Sequence, residues 1–352
     1  MSGSEESLVT DYHVFPSPSD IISAAKMPAP VAARVARSRD EVRAILNGTD
    51  DRLLVITGPC SVHDPQAAIE YASRLMTMSL DDELLIVMRA YPEKPRTVTG
   101  WMGLVSDPGL DGSHDVRRGL REARRLLVNL AALGTPTACE WVSPVVPPYL
   151  ADTVTWSAIG ARTTESQVHR HLASSLPMPV GFKNATDGDV QVATNSCRAA
   201  ATSHTFLGIT TDGTIGLITS SGNPDCHVVL RGGRSGPNFD RPSVTRALEV
   251  IERSGLPRRV VIDAAHDNSS KNHRRQPEVA RLVAAQVADG ERAITGVMLE
   301  SFLVAGRQEP GHLASLVYGQ SITDPCMDFT TTQVLLEDLA QAVRQRRHGG
   351  AR

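Results

Sequence analysis

The chain has 352 residues, of which 41% are hydrophobic and 21% charged, so it is long enough for one large globular α/β domain. Its formal net charge of −3 gives no overall positive field and argues against nucleic acid as a partner. Five cysteines without CxxC spacing argue against a disulfide framework. Because neither a signal sequence nor a long apolar run is found, we predict a cytoplasmic protein with no membrane partner.

Residues 1–50 form a polar segment that contains Pro and Ser, with one short helical pattern at 38–46. We predict that this segment is an N-terminal extension acting as a subunit interface or as a lid. Residues 51–352 are predicted to form a single catalytic domain.

From residue 53 onward, short apolar runs alternate with longer helical patterns such as those at 65–77, 116–133, 243–254 and 277–288. The runs lack strict period-2 alternation, which is typical of a parallel sheet with both faces buried. The runs are LLVIT (53–57), LLIVM (84–88), TACE (137–140), AIGA (158–161), PVGFK (179–183), HVVL (227–230), RVVID (259–263) and ITGVML (294–299). Eight runs predict an α/β fold of the closed (β/α)8 TIM-barrel type.

An additional apolar pair precedes the sixth run. TFLGIT (205–210) and GLIT (216–219) flank Asp212-Gly213, a dipeptide that favours the tight turn of a β-hairpin. We therefore predict a hairpin insertion at about 204–220, before the sixth barrel strand.

A polar or chemically active residue ends or closely follows each of the eight runs. In chain order these residues are Cys60, Arg89, Glu140, Arg162, Lys183, Arg231, His266 and Glu300. In a barrel the carboxyl ends of the strands meet at one mouth, and barrel enzymes place their active sites there. The pattern therefore predicts an active site.

Three of these side chains, Cys60, His266 and Glu300, could hold a metal ion together with Asp324 in the loop after the eighth strand. Thiolate, imidazole and carboxylate ligands suit Mn, Fe, Co or Zn better than Ca or Mg. The pattern alone leaves metal binding open, because a buried Cys often serves only as a small hydrophobic residue.

A second set would place six cations in the same mouth: Arg89, Lys94, Arg96, Arg162, Lys183 and Arg231. Such a cluster repels itself unless phosphates or carboxylates occupy it, so it predicts a substrate with several negative charges. Only four of the 36 basic residues are lysines, namely Lys26, Lys94, Lys183 and Lys271. Retention of Lys94 and Lys183 suggests positions where a compact ammonium is needed.

Several familiar signatures are absent from the sequence. It contains no GxxxxGK[ST], GxGxxG, HExxH or GxSxG motif. This argues against P-loop nucleotide hydrolysis, dinucleotide-dependent redox chemistry, zincin proteolysis and α/β-hydrolase catalysis.

Eight longer motifs carry a family resemblance. They are GPCSVHDP (58–65), MRAYPEKPRT (88–97), GARTTESQVHR (160–170), PVGFKNATDG (179–188), SGNPDCHVVLRGG (221–233), IDAAHDNSSK (262–271), GVMLES (296–301) and YGQSITDPC (318–326). Together they cover roughly residues 50–345 and closely resemble the type I 3-deoxy-D-arabino-heptulosonate 7-phosphate (DAHP) synthases. KPRT (94–97) resembles the loop of enzymes that use erythrose 4-phosphate rather than that of octulosonate 8-phosphate synthases.

The resemblance implies that phosphoenolpyruvate condenses with erythrose 4-phosphate, the first step of the shikimate pathway, and that the protein is a homodimer or homotetramer. It implies one divalent metal ion, with Mn as the first expectation, held by Cys60, His266, Glu300 and Asp324. Phosphoenolpyruvate would be bound by Arg89, Lys94, Glu140, Arg162, Lys183 and Arg231, and the aldose phosphate by Arg96 and Thr97. The residues expected to act in catalysis are Lys94, Glu140, Lys183 and His266.

Three features depart from the family pattern. Ala265 replaces a Ser that usually precedes the metal-binding His, and Ser143-Pro144 stand where feedback-inhibited members tend to have an acid. The hairpin, FLGITTDGTIGLIT (206–219), lacks the expected Lys and small polar residues. In relatives this surface is similar to an aromatic amino-acid site, so we predict that the usual feedback inhibition is absent.

These departures suggest a paralogue serving a specialised pathway, and they leave two alternatives open. One is a condensation of phosphoenolpyruvate with a modified or amino tetrose phosphate or, less favoured, with arabinose 5-phosphate. The other is a non-catalytic barrel with a regulatory or binding role.

Overall fold

The fold is built around a closed barrel of eight parallel strands, which confirms the predicted (β/α)8 architecture. The computed structural model describes residues 8–349, so residues 1–7 of the predicted extension and 350–352 of the predicted catalytic domain lie outside the described part. The strands are β1 (Leu53–Gly58), β2 (Leu84–Arg89), β3 (Thr137–Glu140), β4 (Trp156–Ile159), β5 (Val180–Lys183), β6 (Thr205–Ile209), β7 (Ile215–Thr219), β8 (His227–Leu230), β9 (Val260–Asp263), β10 (Ile294–Glu300), β11 (Val304–Arg307) and β12 (Gln320–Ser321). The barrel order is β1-β2-β3-β4-β5-β8-β9-β10, with β10 pairing back to β1.

The helices of the described residues lie between and after these strands. They are α1 (Pro18–Ala24), α2 (Ala29–Leu46), α3 (Pro65–Leu75), α4 (Val116–Leu133), α5 (Pro147–Leu150), α6 (Gln167–Ser175), α7 (Val190–Ala200), α8 (Arg241–Arg253), α9 (Gln276–Ala288) and α10 (Phe329–Gly349). Side-chain caps fix where three of these helices begin. The carboxylates of Asp64, Asp189 and Asp240 accept hydrogen bonds from backbone N–H groups in the first turns of α3, α7 and α8. Within residues 8–349, no helix has the length and apolar character needed to cross a lipid bilayer.

The hairpin before the sixth barrel strand is formed by β6 and β7, which pair antiparallel and form a separate two-stranded sheet. Its turn is closed by the Gly213 N–H, which donates to the carbonyl of Thr210. Gly213 has a φ of +80°, which a residue without a Cβ adopts at little cost. A second small sheet, β11 with β12, was not predicted from the sequence.

The N-terminal extension closes the amino end of the barrel. Val42, Ile45 and Leu46 of α2 pack against the apolar residues inside the barrel. Arg39 donates to the carbonyl of Val154 just before β4, and Arg43 donates to the carbonyl of Pro177 just before β5. This helix therefore lies at the end opposite the carboxyl ends of the strands.

Candidate active site

The carboxyl ends of the barrel strands surround a cavity of about 310 Å3. Of the residues singled out from the sequence, those that line it are Arg89, Lys94, Arg96, Thr97, Glu140, Arg162, Lys183, Arg231, His266 and Asp324. Cys60 and Glu300 are buried beside it and contact its lining. The topology thus brings together residues separated by as many as 264 positions in the chain.

Three of the proposed ligand residues form a compact cluster. Cys60, Glu300 and Asp324 bring one ligand atom each to within 4.8 Å of one another. Cys60 Sγ lies 3.4 Å from Asp324 Oδ2, and His266 Nε2 lies 3.9 Å from Glu300 Oε1. Two ligands that share one tetrahedral ion at ordinary bond lengths stand about 3.3–3.8 Å apart. Cys60, Glu300 and Asp324 therefore form a cluster suited to a divalent ion, and His266 lies beside it, next to Glu300.

His266 is oriented by Asp263, the last residue of β9. Its Nδ1 lies 2.8 Å from Asp263 Oδ2, which leaves Nε2 free to face the cluster. Asp263 is completely buried, and although burial would raise its pKa, His266 and Lys183 hold that pKa below the ordinary range. A carboxylate behind a metal-binding His fixes the ring and its tautomer.

Lys94 places a positive charge at the same cluster. Its Nζ lies 2.8 Å from both Cys60 Sγ and Asp324 Oδ2. Burial would lower the pKa of this ammonium, but Cys60 and Asp324 hold it well above its ordinary value. Burial raises the pKa of the Cys60 thiol to about 12, so a bound metal ion would have to displace its proton.

A second network surrounds Lys183, whose Nζ lies 3.1 Å from Glu140 Oε2 and 3.6 Å from Asp263 Oδ2. Burial would raise the pKa of Glu140, but Lys183 and Lys94 together keep it below its ordinary value. Glu140 is therefore a carboxylate at neutral pH, in a pocket whose other groups are mainly cationic.

The arginines occupy two depths in the site. Arg89 is completely buried, with its guanidinium 4.0 Å from the centre of the Tyr91 ring and 3.1 Å from Glu300 Oε1. Arg231 is also buried and pairs with Asp267, whereas Arg162 lies nearer the surface and donates to Thr97 Oγ1 at 2.5 Å. The outer arginines are thus placed where an entering anion would meet them.

Sequence reasoning missed four residues of this region: Asp263, Asp267, Glu93 and Lys271. The signal for Asp263 was its position as the last residue of a barrel strand. Lys271 lines the cavity, so three of the four lysines, Lys94, Lys183 and Lys271, lie there. Its φ of +56° is unusual for a residue with a Cβ, and no sequence pattern predicted it.

The fold and the site define a (β/α)8 barrel whose mouth joins a set of Arg and Lys side chains to a cluster of Cys60, Glu300 and Asp324. The sequence profile of the DAHP synthetase I family matches residues 26–337. The chain therefore belongs to this family.

Similar proteins extend the match along nearly the whole chain. The chain is 50% identical to a phospho-2-dehydro-3-deoxyheptonate aldolase of Corynebacterium glutamicum over 348 residues, which cover 96% of this chain and 94% of the relative. It is 51% identical to the Phe-sensitive enzyme of that name from Escherichia coli K12, covering 90% and 91% of the two chains. The solved structure of the aldolase from Francisella tularensis superposes with a TM-score of 0.94 at 44% identity, covering 96% of this chain and 99% of that one.

Proposed function

We propose that the protein condenses phosphoenolpyruvate with erythrose 4-phosphate to give 3-deoxy-D-arabino-heptulosonate 7-phosphate and inorganic phosphate. The observation that carries this proposal is one cavity in which Arg and Lys side chains adjoin His266 and the cluster of Cys60, Glu300 and Asp324. Two phosphorylated reactants would neutralise a set of cations that otherwise repel one another. Family membership over most of the chain supports the same reaction.

The residues divide between the two substrates. We assign phosphoenolpyruvate to the inner cations Arg89, Lys94, Lys183 and Arg231, with Arg162 at the outer side and Glu140 beside them. Arg96 and Thr97, which lie on the exposed part of the loop after β2, are assigned to the aldose phosphate. Charge-assisted hydrogen bonds from Arg and Lys are well suited to hold both phosphate groups.

The proposed chemistry forms a bond between C3 of phosphoenolpyruvate and the aldehyde carbon. A divalent ion held by Cys60, His266, Glu300 and Asp324 would supply a Lewis acid for the aldehyde oxygen. As C3 attacks, positive charge develops at C2, and the ionised Glu140 stabilises it electrostatically. Water then adds at C2, and cleavage of the C–O bond releases phosphate. Lys94 is placed to move a proton during these last steps.

Removal of the metal ion is the experiment that tests this proposal. A chelator should abolish phosphate release from the two substrates, and Mn should restore it. We assign Mn first, with Fe, Co or Zn as replacements, because thiolate, imidazole and carboxylate ligands accept all four. A Cys60→Ala variant should bind the ion more weakly in a direct titration. Turnover that resists the chelator would refute the metal assignment.

The departures at Ala265 and in the hairpin favour one second candidate, a condensation with a modified or amino tetrose phosphate in a specialised pathway. Phosphate release can be compared for erythrose 4-phosphate, an amino tetrose phosphate and arabinose 5-phosphate at equal concentration. The highest kcat/KM identifies the substrate.

We also assign the protein a homo-oligomeric state, either a dimer or a tetramer. This assignment is supported by apolar side chains that the single chain leaves exposed. Leu207 and Leu217 of the hairpin are 75% and 72% exposed, and Val14 of the extension is 91% exposed. Apolar surface of this extent is typical of a subunit interface.

A further inference from the structure

Glu93 is a buried acid with no place among the residues assigned to substrate or metal. It lies on the loop after β2, next to Lys94, and only 6% of its surface is exposed. Its carboxylate accepts the backbone N–H of Val142 at 3.4 Å and of Ser143 at 3.2 Å. Burial raises the pKa of Glu93 to about 7, so its ionised form is costly in this position. The cost of burying this acid indicates that the Glu93 side chain has a role of its own.

The loop that carries Glu93 closes on itself at its base. The Lys94 N–H donates to the Met102 carbonyl at 2.9 Å, and the Val105 N–H donates to the Pro92 carbonyl at 3.1 Å. Gly103 has a φ of +119°, and a Cβ there would lie only 2.4 Å from the Pro92 oxygen. Residues 96–100 are exposed beyond this base. Glu93 therefore joins the base of this loop to the neighbouring loop after β3.

The loop after β3 is joined in turn to the loop after β4. His169 Nε2 lies 3.0 Å from the Val142 carbonyl, and its Nδ1 lies 2.9 Å from Ser166 Oγ. A carbonyl can only accept, so Nε2 carries the proton and the Ser166 hydroxyl donates to Nδ1. Ser166 closes the segment that begins with Arg162. Three active-site loops are thus linked through one buried acid and one buried imidazole.

We infer that Glu93 is a positioning residue. Together with His169, it holds the three loops in the relative positions that bind the aldose phosphate, and we call this set of contacts the clip. The clip consists of Glu93, the backbone of Val142 and Ser143, His169 and Ser166. This inference rests on the proposed condensation, because it assigns Arg96 and Thr97 to that substrate. Lys94 has its own contacts with Cys60 and Asp324, whereas Thr97 is held from outside its loop by Arg162.

The clip predicts a selective kinetic effect. Glu93→Ala should raise KM for erythrose 4-phosphate about tenfold, while kcat and KM for phosphoenolpyruvate change less than about threefold. Glu93→Gln should lie within about threefold of the wild type, because its amide oxygen can still accept a backbone N–H. A Glu93→Gln enzyme as impaired as Glu93→Ala would contradict the inference.

His169→Ala tests the other half of the clip. It should raise KM for erythrose 4-phosphate to a similar extent, because displacing the Arg162 loop also displaces Thr97. If the two residues act as a unit, the double variant should be no worse than either single variant within about twofold. Effects that multiply would overturn the clip. Glu249→Gln and His348→Asn, at exposed residues of α8 and α10, are the matched controls and should leave all constants unchanged.

Hydrogen–deuterium exchange tests the clip without turnover. Glu93→Ala should accelerate exchange of the amides in residues 92–105 and at 142–143 at least about tenfold, with no change in α9. Unchanged exchange in residues 92–105 and at 142–143 would overturn the clip, even if the enzyme were active. An inactive wild type whose Glu93→Ala variant still shows this local acceleration would defeat the proposed condensation but retain the clip.

Discussion

Lys183 occupies the point where substrate and protein charges meet. Its Nζ lies between Glu140 and Asp263, and it has 3% exposure. We expect Lys183→Met to lower kcat about 100- to 1000-fold, because a preorganised charge acts mainly on the transition state. Steady-state kinetics with both substrates measures this. Lys26→Met, at the exposed lysine of the extension, should behave as the wild type, and a Lys183→Met enzyme that changes only KM would contradict the assignment.

Asp263 should control the metal affinity through His266. Asp263→Asn keeps the shape but removes the negative charge that faces His266 Nδ1 at 2.8 Å. Loss of such a supporting carboxylate typically weakens metal binding about 10- to 100-fold. Competition with a fluorescent chelator measures the affinity without turnover. Asp289→Asn, at an exposed residue paired with Arg241, is the control and should leave it unchanged.

Glu93 should also make stability depend on pH. Its pKa is about 7 in the folded protein and ordinarily 4.5, so between these values the folded state holds a proton that the unfolded state has released. The stability contributed by the protonated acid is therefore lost as pH rises from about 4.5 to 7. The shift corresponds to about 3 kcal/mol. Urea unfolding should find Glu93→Gln more stable than the wild type at pH 8 by up to that amount, and nearly equal to it at pH 4.5. Equal stabilities at pH 8 would contradict the shifted pKa.

At the level of elements, the sequence predicted which segments form strands better than it predicted where each strand begins and ends. The third and sixth barrel strands were predicted with the observed bounds, because buried parallel strands are continuous apolar runs. The fourth was predicted at 158–161 but runs over Trp156–Ile159. Gly160 already belongs to the active-site turn, where an added Cβ would lie 2.6 Å from Glu140 Oε1. That close approach is a tertiary contact and leaves no local pattern.

The extension shows a second limit of local patterns. A helix was predicted at 38–46, but α2 begins at Ala29 and includes Pro30 in its first turn, where Pro is tolerated. Val42, Ile45 and Leu46 of α2 pack against the barrel interior and Val31 and Val35 against Ala131 of α4, so their burial depends on contacts distant in sequence. The role of the extension as interface or lid stays a prediction, although α2 itself lies opposite the mouth.

The hairpin carries a prediction about regulation. One face bears the paired Leu207 and Leu217, and the other packs Phe206 against His171 with ring centroids 5.2 Å apart. We expect no loss of activity with a tenfold excess of phenylalanine, tyrosine or tryptophan over substrate, because the polar residues expected on this surface are missing. Steady-state rates with each amino acid measure this, and strong inhibition by any one would defeat the prediction.

For the whole molecule, topology made the site predictable. Each barrel strand ends at the same mouth, so the residue after each apolar run could be assigned to one cavity before any distance was known. The contacts of Glu93 with the backbone of Val142 and Ser143 could not be foreseen, since they depend on how neighbouring loops pack. The Lys94 ammonium between Cys60 and Asp324 is another such arrangement.

The exposed apolar surface supports a prediction about assembly. Leu207 and Leu217 lie opposite each other on one face of the hairpin, and Ile215 beside them is 80% exposed. A single chain would leave this face in water, whereas a second copy would bury it and gain about 25 cal/mol for each Å2 of apolar surface. Sedimentation velocity should therefore find two or four times the mass of the chain.

A Leu207→Glu, Leu217→Glu double variant should shift the distribution to smaller species, because it would bury two charges at the interface. Val334→Glu, at an exposed residue of α10, should leave it unchanged. A wild-type protein that sediments as a single chain would contradict the prediction.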